Sequence, residues 1–177
     1  MGNRNGFTLV EIFIALAIVA IMIVIASSNL FAWLGHASAV DFQREVLARS
    51  NEARTRAMAS NLQHRMVIDL GQETVALERG NLGAASTGWT PIGNGIAGTR
   101  GAGVQEIIVD GGAPVTANIH SFLYNPGGQV MYMDNSAAIL PVTQALIHLT
   151  SENPVDRSTI RIFGWTSKAR LENDWTN

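Results

Sequence analysis

Glu11 is a carboxylate at the mouth of a hydrocarbon run. From Ile12 to Ala26 no side chain is polar, and no Lys, Arg or His stands between Glu11 and His36. An acid in that setting is costly without a cation beside it, and ionisable groups in apolar spans mark function. The chemistry open to Glu11 is charge pairing. Its partner must come from a chain terminus or from another chain.

The element that positions Glu11 is a long apolar helix. Ile12–Ala26 alone is short for a membrane span, but flanking residues from Phe7 to Phe31 extend it to a full crossing. Its Ile, Leu, Phe and Val residues favour insertion by about 3 to 6 kcal/mol in sum. Glu11 near the helix end costs less than the ~2.5 to 3.5 kcal/mol of a mid-membrane charge, so insertion wins. Arg4 and the initiator amine precede the span, which keeps the N-terminus cytoplasmic and sends the rest outward. A second reading of the same residues is a removable secretory signal, with Ala37-Ser38-Ala39 as its small-residue cleavage site and a product starting near Val40.

Gly6-Phe7-Thr8-Leu9-Val10-Glu11, between a leader with one Arg and an apolar helix, resembles the type IV prepilin processing motif. The resemblance implies that a prepilin peptidase cuts after Gly6 and N-methylates Phe7. Residues 1–6 are then a leader, 7–34 a transmembrane and filament-core helix, and 35–177 a periplasmic head. It also implies that Glu11 neutralises the terminal amine of an adjacent subunit. Within one helix that amine lies one turn from Glu11, and the helix dipole favours the anion. Leu9, Ile12, Ile14, Leu16 and Val19 supply packing. The implied partners are the peptidase, other pilin or pseudopilin subunits, an inner-membrane assembly platform, and lipid before assembly.

Beyond the span, Ala39, Phe42, Val46, Ala53 and Ala57 recur at helical spacings among charged residues, which predicts an amphipathic continuation to about Asn61. Strand signals follow over 65–171. Arg65–Leu70 and Glu73–Glu78 read as a hairpin around Gly71-Gln72. Further runs are Gln105–Val109, Ser121–Tyr124, Gln129–Met133, Leu146–Thr150, Thr159–Phe163 and Ser167–Leu171. Asn125-Pro126-Gly127-Gly128 predicts a type II turn. Residues 80–103 hold eight glycines and read as a flexible loop, a candidate partner surface anchored by Trp89. The fold class is α+β, pilin-like, with one long N-terminal helix, half transmembrane and half amphipathic, packed against an antiparallel β-sheet head.

The Ala/Arg/Ser-rich helix end (Ser50–Asn61), the Phe122–Gly128 stretch and a closing Ile-Arg-Ile hairpin look like the GspH/FimT group of minor pseudopilins and minor pilins. That resemblance implies a non-enzymatic fibre subunit of a type II secretion pseudopilus or a type IV pilus, ending in a periplasmic or an extracellular fibre. Its FimT-like branch offers an alternative, DNA uptake, with Trp165, Lys168 and Arg170 as the contact candidates. Yet Arg157, Arg161, Lys168 and Arg170 are matched by Glu152, Asp156, Glu172 and Asp174, and a net charge of −2 makes nucleic acid an unlikely partner.

Other motifs carry little chemistry. Gly93-x-Gly-x-x-Gly98 lacks the strand–turn–helix setting of a dinucleotide site. His36, His64, His120 and His148 have no paired metal spacing, and the chain has no Cys. Asp134-Asn135 offers too few oxygens for calcium. With no nucleophile elbow and no carboxylate pair, no enzyme, cofactor or metal is expected.

Overall fold

A computed structural model of the chain describes residues 9–173; residues 1–8 and 174–177, and the side chains of residues 26, 28, 29 and 32, are outside the description. The chain divides into two units, Met1–Leu34 and Gly35–Asn177.

Helix α1 runs Leu9–Ser60. The sequence has no proline before Pro91, and the helix ends where Asn61 takes a left-handed φ of 54°, a common C-terminal cap conformation. In the first unit its side chains from Leu9 to Ile25 are exposed and apolar except for Glu11. Among the described residues no helix is long and apolar enough to cross a membrane. The span expected over 7–34 lies partly outside them.

Within the second unit, Ala39, Phe42, Val46, Ala53 and Ala57 are all buried in one core cluster, as the helical spacing predicts. Burying a Phe42-sized side chain contributes about 1.5 to 3 kcal/mol. Ten strands follow: β1 (His64–Asp69), β2 (Thr74–Gly80), β3 (Trp89–Ala97), β4 (Gly103–Val109), β5 (Ile119–Tyr124), β6 (Val130–Met133), β7 (Ile139–Pro141), β8 (Gln144–Thr150), β9 (Ser158–Phe163) and β10 (Ala169–Glu172). A 3₁₀ turn, Pro154–Asp156, precedes β9 and is capped by the Asn153 side chain.

The strands form two antiparallel sheets, β3-β2-β1-β5-β6-β7 and β10-β9-β8-β4. β1 alternates buried and half-buried residues, and places Met66 between Leu77 of β2 and Phe122 of β5. β8 is buried along its middle, with Ile147 between Ile107 and Ile160. The α+β expectation holds: one helix stripe and two sheets share a single hydrophobic cluster.

Three local expectations need correction. Residues 80–103 are not one loop, because β3 occupies 89–97 and pairs with β2 from Gly80↔Trp89 to Thr74↔Ala97. An edge strand needs hydrogen bonds on one side only, which lets a glycine-rich stretch serve. Trp89 stacks under the Arg65 guanidinium, 4.3 Å from its ring centre, so it is half-buried in the sheet. The Asn125–Gly128 turn has its i→i+3 bond from Gly128 N–H to Asn125 C=O, but the left-handed residue is Gly128 (φ 83°) rather than Gly127. This is a type I turn followed by a left-handed glycine, which matches the strand twist of a hairpin. Finally, the last strand starts at Ala169, because Ser167 is left-handed (φ 47°) and closes the turn before it.

Candidate functional site

Glu11 lies in the first turn of α1. The helix dipole favours an anion in the first turn. With Ile12, Ala15, Leu16 and Val19 it lines an open hollow of about 480 Å³ along one side of the helix. These positions share one helical face, so a carboxylate stands at the end of an apolar strip. Such a strip can pack against another helix while the acid accepts a cation. Gly6 and Phe7, the expected cleavage and methylation residues, lie outside the described residues.

In the head, Trp165 is 66 % exposed in the turn between β9 and β10. Its surroundings are Met131, Pro141 and Val142, with which it lines a hollow of about 40 Å³. Lys168 and Arg170 are also exposed. Arg170 faces Arg161 across the hairpin, and Arg161 is held by both oxygens of Glu172 at 3.0 Å. That bond raises the Arg161 pKa, and Glu172 offsets one of the three cations, Arg161, Lys168 and Arg170, that the β9–β10 hairpin carries. Two exposed cations, Lys168 and Arg170, are left over, fewer than the repeated contacts a phosphate backbone needs.

The histidines do not converge; each is engaged separately. His36 Nδ1 lies 2.5 Å from Asp156 Oδ1, and His148 Nδ1 lies 2.7 Å from Glu106 Oε1. His120 accepts from the Tyr132 hydroxyl through Nδ1 at 2.6 Å, while its Nε2–H donates to the Ala117 carbonyl at 2.9 Å. Among the described residues no three acidic or histidine side chains gather to hold a metal. Asp134 Oδ1 caps its own turn, accepting from Ser136 N–H, the Ser136 hydroxyl and Ala138 N–H. Chiefly the Ser136 hydroxyl holds the Asp134 pKa below the usual carboxylate range. The glycine motif Gly93–Gly98 lies on β3 and just after it, with no helix N-terminus to receive a phosphate.

Sequence reasoning missed a cleft of about 500 Å³ where Arg56 and Ser60 near the end of α1 face His64, Arg79 and Thr90 of the sheet. The signal was present: the hairpin register that sets Arg65 opposite Glu78 also sets His64 opposite Arg79.

Comparison with known proteins bears on both units. The family described as the prokaryotic N-terminal methylation motif matches residues 1–27. Two structures of the minor pseudopilin EpsH from the type II secretion system of Vibrio cholerae resemble the chain. One has 15 % identity and a TM-score of 0.53, covering 79 % of this chain and 99 % of that one. The other has 12 % identity and a TM-score of 0.51, covering 80 % and 97 %. No curated protein sequence matches the chain. The chain is thus pilin-like: a methylation motif at its start, and the fold of a minor pseudopilin.

Proposed function

We propose that this protein is a non-enzymatic minor subunit of a type II secretion pseudopilus. A prepilin peptidase cuts it after Gly6 and methylates Phe7, and an inner-membrane platform draws it into the fibre among sister pseudopilins. Before assembly the helix start resides in the inner membrane with the head in the periplasm. Glu11 then meets the new terminal amine of a neighbouring subunit.

The observation that carries this reading is the path of α1. Ala37, Ser38 and Ala39 lie within the helix, and Ala39 is 1 % exposed in the head core. A signal peptidase cutting there would remove a core residue's helical support, whereas cutting after Gly6 leaves the described helix whole. The methylation motif supports the same junction, and the likeness to EpsH favours the secretion pseudopilus over a retractable pilus.

Mass spectrometry of the mature N-terminus tests the proposal directly. N-methylated Phe7 is the expected product, and Gly6→Ala should leave the leader attached in a peptidase-positive host. A product beginning near Val40 would overturn the reading.

A further inference from the structure

The cleft at the end of α1 has three walls, all within the head. His64, Arg79 and Thr90 form a row across β1, β2 and β3, each the direct register partner of the next. Direct partners in antiparallel strands project from the same face, so the row shares one side of the sheet. Arg56 and Ser60 close the cleft from the helix. Its remaining surface includes Pro91 and Ile92 of the edge strand.

The polar groups here are short of anionic partners. His64 is 2 % exposed, and its Nδ1–H donates to the Leu62 carbonyl at 3.1 Å, which makes Nε2 the free acceptor of the neutral ring. Nε2 has no hydrogen-bond partner among the described residues. Arg79 is exposed and has no acidic partner among them either. Arg56 does reach Glu52, at 2.8 Å, but Glu52 also serves Arg49 at 3.3 Å. Arg49 also reaches Glu45, at 3.7 Å, so two carboxylates answer these two guanidinium groups while Arg79 adds a third positive charge. The carbonyl end of α1 opposes an anion with only about half a charge. The balance in the cleft is positive.

We propose that this cleft receives a carboxylate side chain from an acidic peptide segment of a partner protein. The Arg79 guanidinium, the Arg56 N–H groups not taken by Glu52 and the Thr90 hydroxyl suit one oxyanion, and Pro91 and Ile92 suit the methylenes that carry it. A nucleic-acid strand needs cations repeated along its path and free aromatic faces. Here Trp89 is covered by Arg65, and Arg65 is itself held by Glu78 at 2.6 Å. The inference stands apart from the fibre reading, since it concerns the head alone.

Burial lowers the His64 pKa, and the charges of Arg56 and Arg79 lower it further. A bound carboxylate reverses the local field, so His64 reports occupancy. The test is a titration of the full chain in detergent micelles, followed through its histidine NMR resonances. The probe is an acetylated, amidated hexapeptide with two central glutamates; the same peptide with glutamines, inorganic phosphate and a short DNA duplex are the comparisons. The glutamate peptide should move the His64 resonances and raise its pKa while the glutamine peptide does neither. Arg79→Gln should weaken binding roughly tenfold or more, and Arg44→Gln should leave it unchanged. The proposal is overturned by an unmoved His64 at about 10 mM peptide, or by an equal response to the glutamine peptide. Binding that Arg79→Gln does not weaken, or binding of phosphate or DNA in place of the peptide, overturns it too.

Discussion

Ser50 Oγ and the Tyr124 hydroxyl meet 2.7 Å apart, with both residues fully buried. The bond fastens α1 to β5 inside the head, where neither hydroxyl can reach water. It joins a polar pair within a core cluster made mainly of aliphatic and aromatic side chains. A pair so placed adds modest net stability when complete and costs more when half-made.

The two partners are not equivalent on truncation. In Tyr124→Phe the Ser50 hydroxyl can turn to the carbonyl one helical turn back, so the loss should be ~1 kcal/mol. In Ser50→Ala the phenol stays buried with nothing to bond, and the loss should be about 2 kcal/mol or more. The double variant should be more stable than Ser50→Ala alone. Urea unfolding of the four proteins measures this directly, and equal single losses with simple additivity would refute it.

Alkaline titration should find no ordinary tyrosine. The chain has two, and burial raises the pKa of both Tyr124 and Tyr132 above the usual 10.0. The folded chain therefore holds more protons than the unfolded chain above that value. Stability is whole below pH 10 and falls as pH rises further. Phenolate absorbance should lag behind that of the urea-unfolded chain and appear with unfolding. A folded-state phenolate signal at pH 10 would contradict the burial argument.

Gly164 marks a backbone contact that admits no side chain. Its N–H donates to Thr143 C=O at 2.9 Å and its C=O accepts from Val130 N–H at 2.7 Å, so it links the two sheets. A Cβ here would sit 1.6 Å from the Val142 carbonyl oxygen, and a backbone atom cannot move aside as a flexible side chain can. Gly164→Ala should cost at least ~3 kcal/mol or abolish folding. Gly127→Ala, with open space around its position, serves as the control in the same thermal melts.

The helix stripe and most strands were legible because each rests on a local period. Ala39, Phe42, Val46, Ala53 and Ala57 repeat at helical spacing and are all buried. β1 and β2 alternate at period two, so their pairing could be read as well. β3 was not legible. Its glycines and Pro91 argue against a strand, and it exists because the free edge of β2 offers hydrogen bonds. Among site residues, Glu11 announced itself by being a lone acid in an apolar run. Of the basic cleft, only the His64–Arg79 pairing follows from the readable β1–β2 register; Arg56 and Thr90 join it across separations that no periodicity spans. The pairing of His36 with Asp156 is a tertiary contact of the same kind.

Acid should weaken the head partly through His64. Its folded-state pKa lies below the ordinary 6.5, chiefly because burial disfavours the charged ring. The unfolded chain then binds more protons as pH falls. Stability contributed by the neutral ring is whole above 6.5 and declines as pH drops through that value. His64→Gln should flatten this part of the profile between about pH 7 and pH 5. The difference between wild type and variant isolates His64 from His36 and His148, which face carboxylates. The melts need a buffer free of phosphate and carboxylate, since an anion in the cleft would mask the slope.

Glu11 should matter for assembly more than for the fold of the head. It stands in the first turn of α1, in the unit Met1–Leu34, and no residue of the head's core cluster belongs to that unit. Removing it therefore leaves the head's packing untouched. It also removes a charge that opposes membrane insertion, so Glu11→Ala should insert at least as well as wild type. Incorporation into a fibre is different, because a neighbouring subunit's amine would then enter an apolar contact without its counter-charge. An uncompensated buried charge costs about 3 to 5 kcal/mol, enough to lower incorporation by two orders of magnitude or more. Glu11→Asp keeps the charge but shortens its reach, and should fall between the two. Membrane fractionation and quantitative immunoblotting of sheared fibres separate insertion from incorporation. Wild-type incorporation of Glu11→Ala would mean that the carboxylate does not pair with the amine.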